Sequence, residues 1–458
     1  MRILNKLAFS LIFAAIVFTT LAYGAVHQPI IAVFYLLVAV MVLIWAADCF
    51  AGGAVRVDTS KLQVPLLLLG IYGLVQVIPF GTVSDTAGVL AIPRTISLEP
   101  FATEITSVHI LFLCCFLAIV LVYIDTASRV RKITTLLLVF GFVYAFYAIL
   151  QSALSPDKIY GIYAPANGTP FGSFVNRHDF AAIMEMSLGV PLGLMFAGAV
   201  RRDKKLLYIV GIALMGAALL LSRSRGGLVA FFAELILIVI LTTRARGTRN
   251  VILKIGLSLL FIAAAVGGAI FVGGETSLTR FAESAATQNI SSNRTHIWSV
   301  TVEMIRSNMP FGVGLGAYPQ AYTSFDTLSG SDRVEQAHND YLQVPADAGI
   351  MGLIIGALFL FWFVREGIRN THESNTFRRG VAVGAFAGCC AILVHSIFDF
   401  VLHITAVSVM FLTLMSMLVA SGRKYKDDTD EFDEPRKKRR RSASVSSIDT
   451  KADSLISR

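Results

Sequence analysis

The chain has 458 residues, of which 55% are hydrophobic and only 15% are charged, and its mean hydropathy is +0.69. This composition excludes a water-soluble globular protein. Because a membrane-spanning helix needs roughly 20 mostly apolar residues, the repeated apolar runs indicate an all-α, polytopic membrane protein. The net charge of +9 is unevenly distributed, and that distribution predicts a topology.

Twelve transmembrane helices are predicted, although several runs are short enough that a count of 11 or 13 stays open. The first run follows Met1 to Lys6 and is interpreted as a retained helix rather than a cleaved signal peptide. The predicted spans are 7–26, 28–47, 62–80, 105–124, 133–153, 179–200, 206–222, 228–243, 255–273, 349–364, 381–400 and 402–420.

The lysines and arginines lie mainly on one side of these spans. If the N-terminus is cytoplasmic, 30 of the 39 fall in inside segments, as the positive-inside rule requires. Both termini are therefore predicted to be cytoplasmic. The tail 421–458 is poor in apolar residues and is expected to be disordered, with Arg436 to Arg441 either anchoring the topology or contacting anionic lipids. The outside residues are Arg94, Lys158, Arg177, Arg223, Arg225, Arg280, Arg294, Arg306 and Arg333.

Two outside loops are long, at 154–178 and 274–348, and the second should carry its own structure. Within it, Thr295 to Ile305 has the apolar spacing of an amphipathic helix on the membrane surface. A second helix, from Ala337 to Val344, is expected to hold His338 in its first turn. Gly349-x-x-Gly352 then leads into a membrane run.

Arginines at helix mouths are the first candidates for binding an anion. Arg223 and Arg225 separate two apolar runs and precede Gly226 and Gly227, which permit close backbone approach. An arginine fork matches phosphate oxygens, whereas the alternative is snorkelling to the interface. Arg294 opens the predicted surface helix and is either a second phosphate contact or a lipid-facing charge. Arg280, Arg306 and Arg333 are interpreted as solvated charges.

Histidines and carboxylates near the outer helix ends are the other candidates. His338 suits a general base for a hydroxyl, because an imidazole ordinarily changes charge near neutral pH, or it is merely structural. Glu185 is an intramembrane carboxylate that suggests a function or a helix–helix hydrogen bond. His395 and Asp399 are four residues apart and are expected to form a structural pair on one helix face. Candidates for substrate contacts are Asn176, Arg177, His178, Glu185, Arg223 and Asn339. The five cysteines have no metal-ligand spacing.

Several motifs together resemble the O-antigen ligase/polymerase superfamily of bacterial membrane glycosyltransferases, over roughly 170–405. His338-Asn339 with its nine-residue gap to Gly349-x-x-Gly352 is the most specific and resembles the ligase signature. The similar pieces are Gly172-Ser-Phe-Val-Asn176-Arg-His-Asp-Phe-Ala181, Ser224-Arg225-Gly226-Gly227, Arg294-x3-Trp298, Pro310-Phe-Gly-Val-Gly-Leu-Gly316 and His395-Ser-x-x-Asp399-Phe. His178 stands where many members have Asn.

The resemblance implies a type-C glycosyltransferase fold with a large periplasmic loop in the bacterial inner membrane. Its implied donor is a glycan on undecaprenyl pyrophosphate, its acceptor a sugar hydroxyl, typically on lipid A-core, and it implies no metal, cofactor or nucleic-acid partner. By motif position, His338 corresponds to the catalytic base, and Arg225 and Arg294 to the diphosphate binders, with Arg223 as the alternative first arginine.

This resemblance divides the chain into an N-terminal transmembrane scaffold (1–153), a catalytic core (154–420) and the cytoplasmic tail (421–458). Two related activities stay open, an O-antigen or exopolysaccharide polymerase and a protein O-oligosaccharyltransferase, because they differ only in the acceptor. A transporter of lipid-linked glycan is the alternative from another class. Transporters tend to show inverted repeats, and none is visible in this sequence.

Overall fold

A computed structural model describes residues 2–83, 92–166, 168–243, 289–327 and 333–423, together with residues 252 and 256. In this part of the chain it shows an all-α, multi-pass membrane protein. Nine helices are long and apolar enough to cross a membrane, and two shorter apolar helices accompany them. A single pair of two-residue strands is present in the described residues, with Thr82 opposite Pro93.

The helices follow one another with short connections. They are α1 (Arg2–Leu21), α2 (Gln28–Gly52), α3 (Gln63–Gln76), α4 (Pro100–Tyr123), α5 (Ala127–Leu154), α6 (Arg177–Ala197), α7 (Lys205–Leu221), α8 (Arg225–Thr242), α9 (Asn289–Asn308), α10 (Tyr318–Thr323), α11 (Asp340–Asn370), α12 (Thr376–His395) and α13 (Thr405–Ser421). Short 3-10 turns lie at Tyr23–Ala25, Arg202–Lys204 and Val401–His403. The strands are Thr82–Val83 and Ile92–Pro93.

Eleven of the twelve predicted spans coincide with apolar helices of this structure, because each apolar run is long enough to satisfy its backbone hydrogen bonds internally. The twelfth, 255–273, lies outside the described residues, as do Arg280 and the tail from residue 424. The prediction of many membrane helices is therefore confirmed for the described part of the chain.

The centre of the fold is the contact between α6 and α12. Glycines at four-residue spacing stand on both helices, Gly189 and Gly193 on α6 and Gly380 and Gly384 on α12. A methyl group on Gly193 would lie 2.4 Å from the carbonyl oxygen of Gly380. Small residues at this spacing let helix backbones approach closely, which drives association where apolar burial cannot. This contact fixes α12, and therefore the turn that follows it.

The outer loop region forms a second, smaller apolar core. Val300 and Met304 of α9 pack with Tyr318 and Tyr322 of α10 and with Ala346 of α11. The apolar face of α9 is therefore covered by protein, which corrects the prediction that it lies on the membrane surface. The amphipathic pattern was right, but periodicity cannot tell a lipid partner from a protein partner.

The start of α11 also differs from the prediction. The helix begins at Asp340, and Asn339 caps it by accepting hydrogen bonds from the N–H groups of Tyr341 and Leu342. His338 thus precedes the helix rather than lying in its first turn. At Gly349 the helix is kinked, with φ 57° and ψ −142°. A Cβ atom there would lie 2.0 Å from the carbonyl oxygen of Pro310, so this position requires glycine.

Candidate active site

The polar residues at the outer helix ends converge on Asp399, which is 3% exposed. Its Oδ1 lies 3.0 Å from Nδ1 of His338. Its Oδ2 lies 3.8 Å from a guanidinium nitrogen of Arg294 and 3.9 Å from Nε2 of His178. One oxygen of the carboxylate therefore contacts the imidazole of His338, and the other faces Arg294 and His178.

Asp399 is ionised across the physiological range. Burial alone would raise the pKa of its carboxyl group. The hydrogen bond from His338 and the charges of His178, His338 and Arg294 outweigh that effect and lower the pKa to about 2. A carboxylate can only accept hydrogen bonds, so Nδ1 of His338 must be the donor.

This pairing fixes the tautomer of His338. A neutral imidazole with its proton on Nδ1 carries the lone pair on Nε2, and the side chain is 33% exposed. His338 therefore presents a proton acceptor at the accessible edge of the site. The arrangement matches a histidine oriented by a carboxylate for general-base work.

The backbone around His338 is held from several directions. The indole N–H of Trp298 donates to the carbonyl of Ala337 at 3.0 Å, and the N–H of Asp340 donates to the carbonyl of Ser396 at 2.9 Å. His338 itself has φ 50°, a left-handed conformation that few residues other than glycine adopt. Such conformations persist where surrounding contacts impose them and cluster at functional sites.

His178 is held by the neighbouring helix. Its Nδ1 lies 2.8 Å from Oγ of Ser224, and that hydroxyl oxygen also accepts the N–H of Gly227 as the N-cap of α8. The hydroxyl proton is free to donate to Nδ1, which leaves a proton on Nε2 facing Asp399. Ser224 thus links His178 of α6 to the start of α8, where Arg225 is the first residue.

The N-termini of α6, α8 and α11 are connected here, because His178 contacts Ser224, and His178 and His338 both lie beside Asp399. Asn176, Ser224 and Asn339 cap them, each accepting one or two backbone N–H groups. A helix N-terminus carries a partial positive charge and favours an anion. The sum of three such termini makes this end of the bundle a suitable place for phosphate oxygens.

Further arginines lie at or next to the starts of α6 and α8. Arg225 is exposed at the start of α8, and Arg177, at the start of α6, is partly buried and interacts electrostatically with both Arg223 and Arg225. Arg223 has a left-handed backbone with φ 57°. The structure therefore brings Arg177, Arg223 and Arg225 near one another at the starts of α6 and α8, while Arg294 lies beside Oδ2 of Asp399.

Three residues that the sequence predicts to contact substrate have structural roles instead. The side-chain oxygens of Asn176 and Asn339 cap helices. Glu185 is fully buried, with an oxygen 3.0 Å from Nδ1 of His395 on α12. It joins two helices and does not line the exposed site.

The expected pair between His395 and Asp399 is wrong. The helix α12 ends at His395, so the four-residue spacing does not put the two side chains on one helix face. His395 contacts Glu185 instead, while Asp399 turns toward His338.

Sequence reasoning missed Asp399 and Ser224 as members of the site. The signal in the sequence was a carboxylate in an otherwise apolar stretch, which is costly to bury unless it has a partner. Among the residues that the structure describes, no group of three or more His, Cys, Asp and Glu side chains is arranged to hold a metal ion.

Comparison with known proteins agrees with the motifs. Residues 210–357 match the protein-family model described as O-Antigen ligase, which confirms the resemblance inferred from the sequence. The matched range contains Arg223, Arg225, Arg294 and His338, and ends before Asp399. No curated protein matches the chain.

Proposed function

We propose that this chain, whose residues 210–357 match the O-Antigen ligase family model, transfers a glycan from undecaprenyl pyrophosphate to a sugar hydroxyl, with lipid A-core as the acceptor. The observation that carries the proposal is the shared carboxylate of Asp399. It orients His338 with one oxygen and lies beside Arg294 with the other. A base and an anion-binding group thus stand on two sides of one fixed residue.

The base accepts the proton of the attacking hydroxyl. Nε2 of His338 removes that proton while the acceptor oxygen forms a bond to the anomeric carbon of the donor sugar. Asp399 stabilises the imidazolium that results, as a carboxylate at hydrogen-bond distance from Nδ1 does. The acidic residue stays ionised because its pKa is about 2.

The arginines act on the leaving group. As the bond between the anomeric carbon and the phosphate oxygen breaks, its electron pair passes to undecaprenyl pyrophosphate. Negative charge on that oxygen grows toward the transition state, so fixed cations and helix N-termini stabilise the transition state more than the bound donor. Arg225 and Arg294 are the diphosphate binders, with Arg223 as the alternative for Arg225. One displacement inverts the anomeric centre.

The charge distribution supports a periplasmic site. The helix ends that carry Arg177, Arg225 and Asp340 are those that the positive-inside rule assigns to the outside. We therefore place the protein in the bacterial inner membrane with both termini cytoplasmic, the catalytic core in 154–420 and the scaffold in 1–153. Of the sequence candidates for substrate contact, Arg177, His178 and Arg223 remain in the proposed site.

The same geometry suits a polymerase that joins lipid-linked repeats or a protein O-oligosaccharyltransferase, since these differ only in whose hydroxyl is activated. A transporter of lipid-linked glycan has no need of an oriented base. The acceptor is therefore the property that an experiment must determine.

Purified protein in detergent, with a defined lipid-pyrophosphate glycan and a panel of acceptors, tests the proposal. Transfer to lipid A-core without an energy source is expected. His338→Ala should abolish transfer and leave a monodisperse, folded protein, whereas His27→Ala, at another outer helix end, should transfer normally. Full transfer by His338→Ala would contradict the base assignment, and wild-type transfer to a repeat unit or a peptide alone would name a different enzyme.

A further inference from the structure

A phenyl ring contacts two imidazoles at the edge of the proposed site. The ring of Phe400 lies 5.0 Å from that of His338 and 6.3 Å from that of His403, both in edge-on arrangement. Phe400 is partly buried, and the two histidine side chains are 33% and 35% exposed. The proposed chemistry uses His338 and leaves Phe400 and His403 without a part.

His403 has a carboxylate partner of its own. Its Nε2 lies 3.3 Å from Oδ1 of Asp340, the first residue of α11. Burial lowers the pKa of His403, but the hydrogen bond and charge of Asp340, with the charge of Asp347, outweigh burial and raise the pKa above its ordinary value. His109 of α4 also faces this imidazole electrostatically. The raised pKa favours the protonated form of this partly exposed imidazole, in which Nδ1 donates a hydrogen bond.

The two sides of His338 are chemically different. The groups near Oδ2 of Asp399 are Arg294 and His178, with Ser224 and its neighbouring arginines beyond. The ring that contacts His338 itself is Phe400. In a displacement the hydroxyl attacks from the face opposite the leaving group, so the acceptor approaches His338 from the side away from the arginines.

Phe400 and His403 have the chemistry that a sugar ring requires. Binding sites combine apolar and aromatic walls with a few placed polar groups that fix orientation, and a pyranose offers an apolar C–H face with hydroxyl groups at its rim. We propose that Phe400 and His403 form the acceptor subsite. The phenyl ring packs against a sugar of the acceptor glycan, and the imidazolium donates to one of its hydroxyl or acidic oxygens. This proposal rests on the proposed function.

Kinetics with both substrates varied test the subsite. Phe400→Leu keeps apolar packing but removes the aromatic face, and His403→Gln keeps a hydrogen-bond donor but removes the charge. Each should raise the KM for the acceptor by roughly tenfold and leave the KM for the lipid-pyrophosphate donor unchanged. At saturating acceptor, kcat should stay within a few-fold of wild type. Phe311→Leu, at a 54% exposed phenylalanine, and His27→Gln are matched controls that should change neither constant.

The outcomes separate this proposal from the function beneath it. If the wild-type protein transfers glycan to none of the acceptors, the proposed function is wrong. If the wild type transfers glycan and both variants keep an unchanged KM for the acceptor, only the acceptor subsite is wrong. A rise in the KM for the donor instead of the acceptor has the same meaning. If Phe400→Leu does not fold, as judged by gel filtration and thermal unfolding, the partly exposed His403→Gln decides the question.

Discussion

The imidazole of His338 and the carboxylate of Asp399 lie 3.0 Å apart although 61 residues separate them in the chain. The contact joins the loop before α11 to the turn after α12, and the backbone bond from Asp340 to Ser396 holds the same two segments together. An exposed histidine thereby gains a fixed orientation and a defined tautomer, which a histidine in a free loop lacks.

Replacing the carboxylate should impair the chemical step more than substrate binding. In Asp399→Asn the amide can donate to Nδ1, which favours the wrong tautomer of His338. We expect kcat for transfer to fall roughly 10²- to 10⁴-fold, with a smaller change in donor KM. Steady-state transfer kinetics check this, and a kcat close to wild type would show that His338 needs no carboxylate partner.

The low pKa of Asp399 predicts how acid affects stability. The folded pKa of about 2 is below the unfolded value of about 3.9, so the stabilisation is fully present above pH of about 4 and is lost as the pH falls toward about 2. The thermal unfolding midpoints of wild type and Asp399→Asn should differ by a constant amount at higher pH. That difference should shrink below pH of about 4, and a constant difference down to about 2 would contradict the assigned pKa.

Arg294 should bind the donor while a neighbour on the same helix should not. Arg306, also on α9, is exposed beside Glu303, whereas Arg294 lies near Asp399. Arg294→Ala should weaken binding of the lipid-pyrophosphate donor roughly 10- to 100-fold, the size of a charged hydrogen-bond contact. Arg306→Ala is the control and should bind normally. Equal affinities in a detergent binding assay would remove Arg294 from the diphosphate site.

Gly349 should be essential for folding, unlike another glycine of the same helix. Its φ is 57°, and any Cβ atom at this position would lie only 2.0 Å from the carbonyl oxygen of Pro310, so no side chain fits. Gly349→Ala should destabilise the protein by about 2–5 kcal/mol. Gly356→Ala has no atom within 4 Å of its new methyl group and should be neutral. Yield and thermal unfolding of the two variants give the comparison.

The buried pair of Glu185 and His395 should matter for stability. Both side chains are 0% exposed, so His395→Ala leaves an unpaired polar group among apolar helices, at a cost of about 1–3 kcal/mol. We expect a large drop in the unfolding temperature, whereas His338→Ala, which leaves Arg294 beside Asp399, should show a smaller drop and lack transfer. A His395→Ala protein of wild-type stability would contradict the structural role.

Apolar runs alone were enough to predict the membrane helices, since a segment of that length must satisfy its own backbone in lipid. His338 stood out because a titratable residue preceded a glycine-marked helix. Asp399 could not be recognised as its partner, because a pairing across 61 residues depends on how α12 packs on α6. The predicted pairing of His395 with Asp399 was wrong for a local reason, because α12 ends at His395. Ser224 was visible only as part of an arginine motif, and its contact with His178 requires α8 beside α6.

The two oxygens of Asp399 have a thermodynamic consequence. Because one carboxylate contacts both His338 and Arg294, the free energies lost by His338→Ala and Arg294→Ala should not add. Proton removal from the acceptor and charge stabilisation on the departing lipid are coupled through a single side chain. A change that strengthens the contact of Asp399 with His338 therefore weakens its contact with Arg294, and the reverse. A protein built this way cannot adjust its nucleophile and its leaving-group site independently.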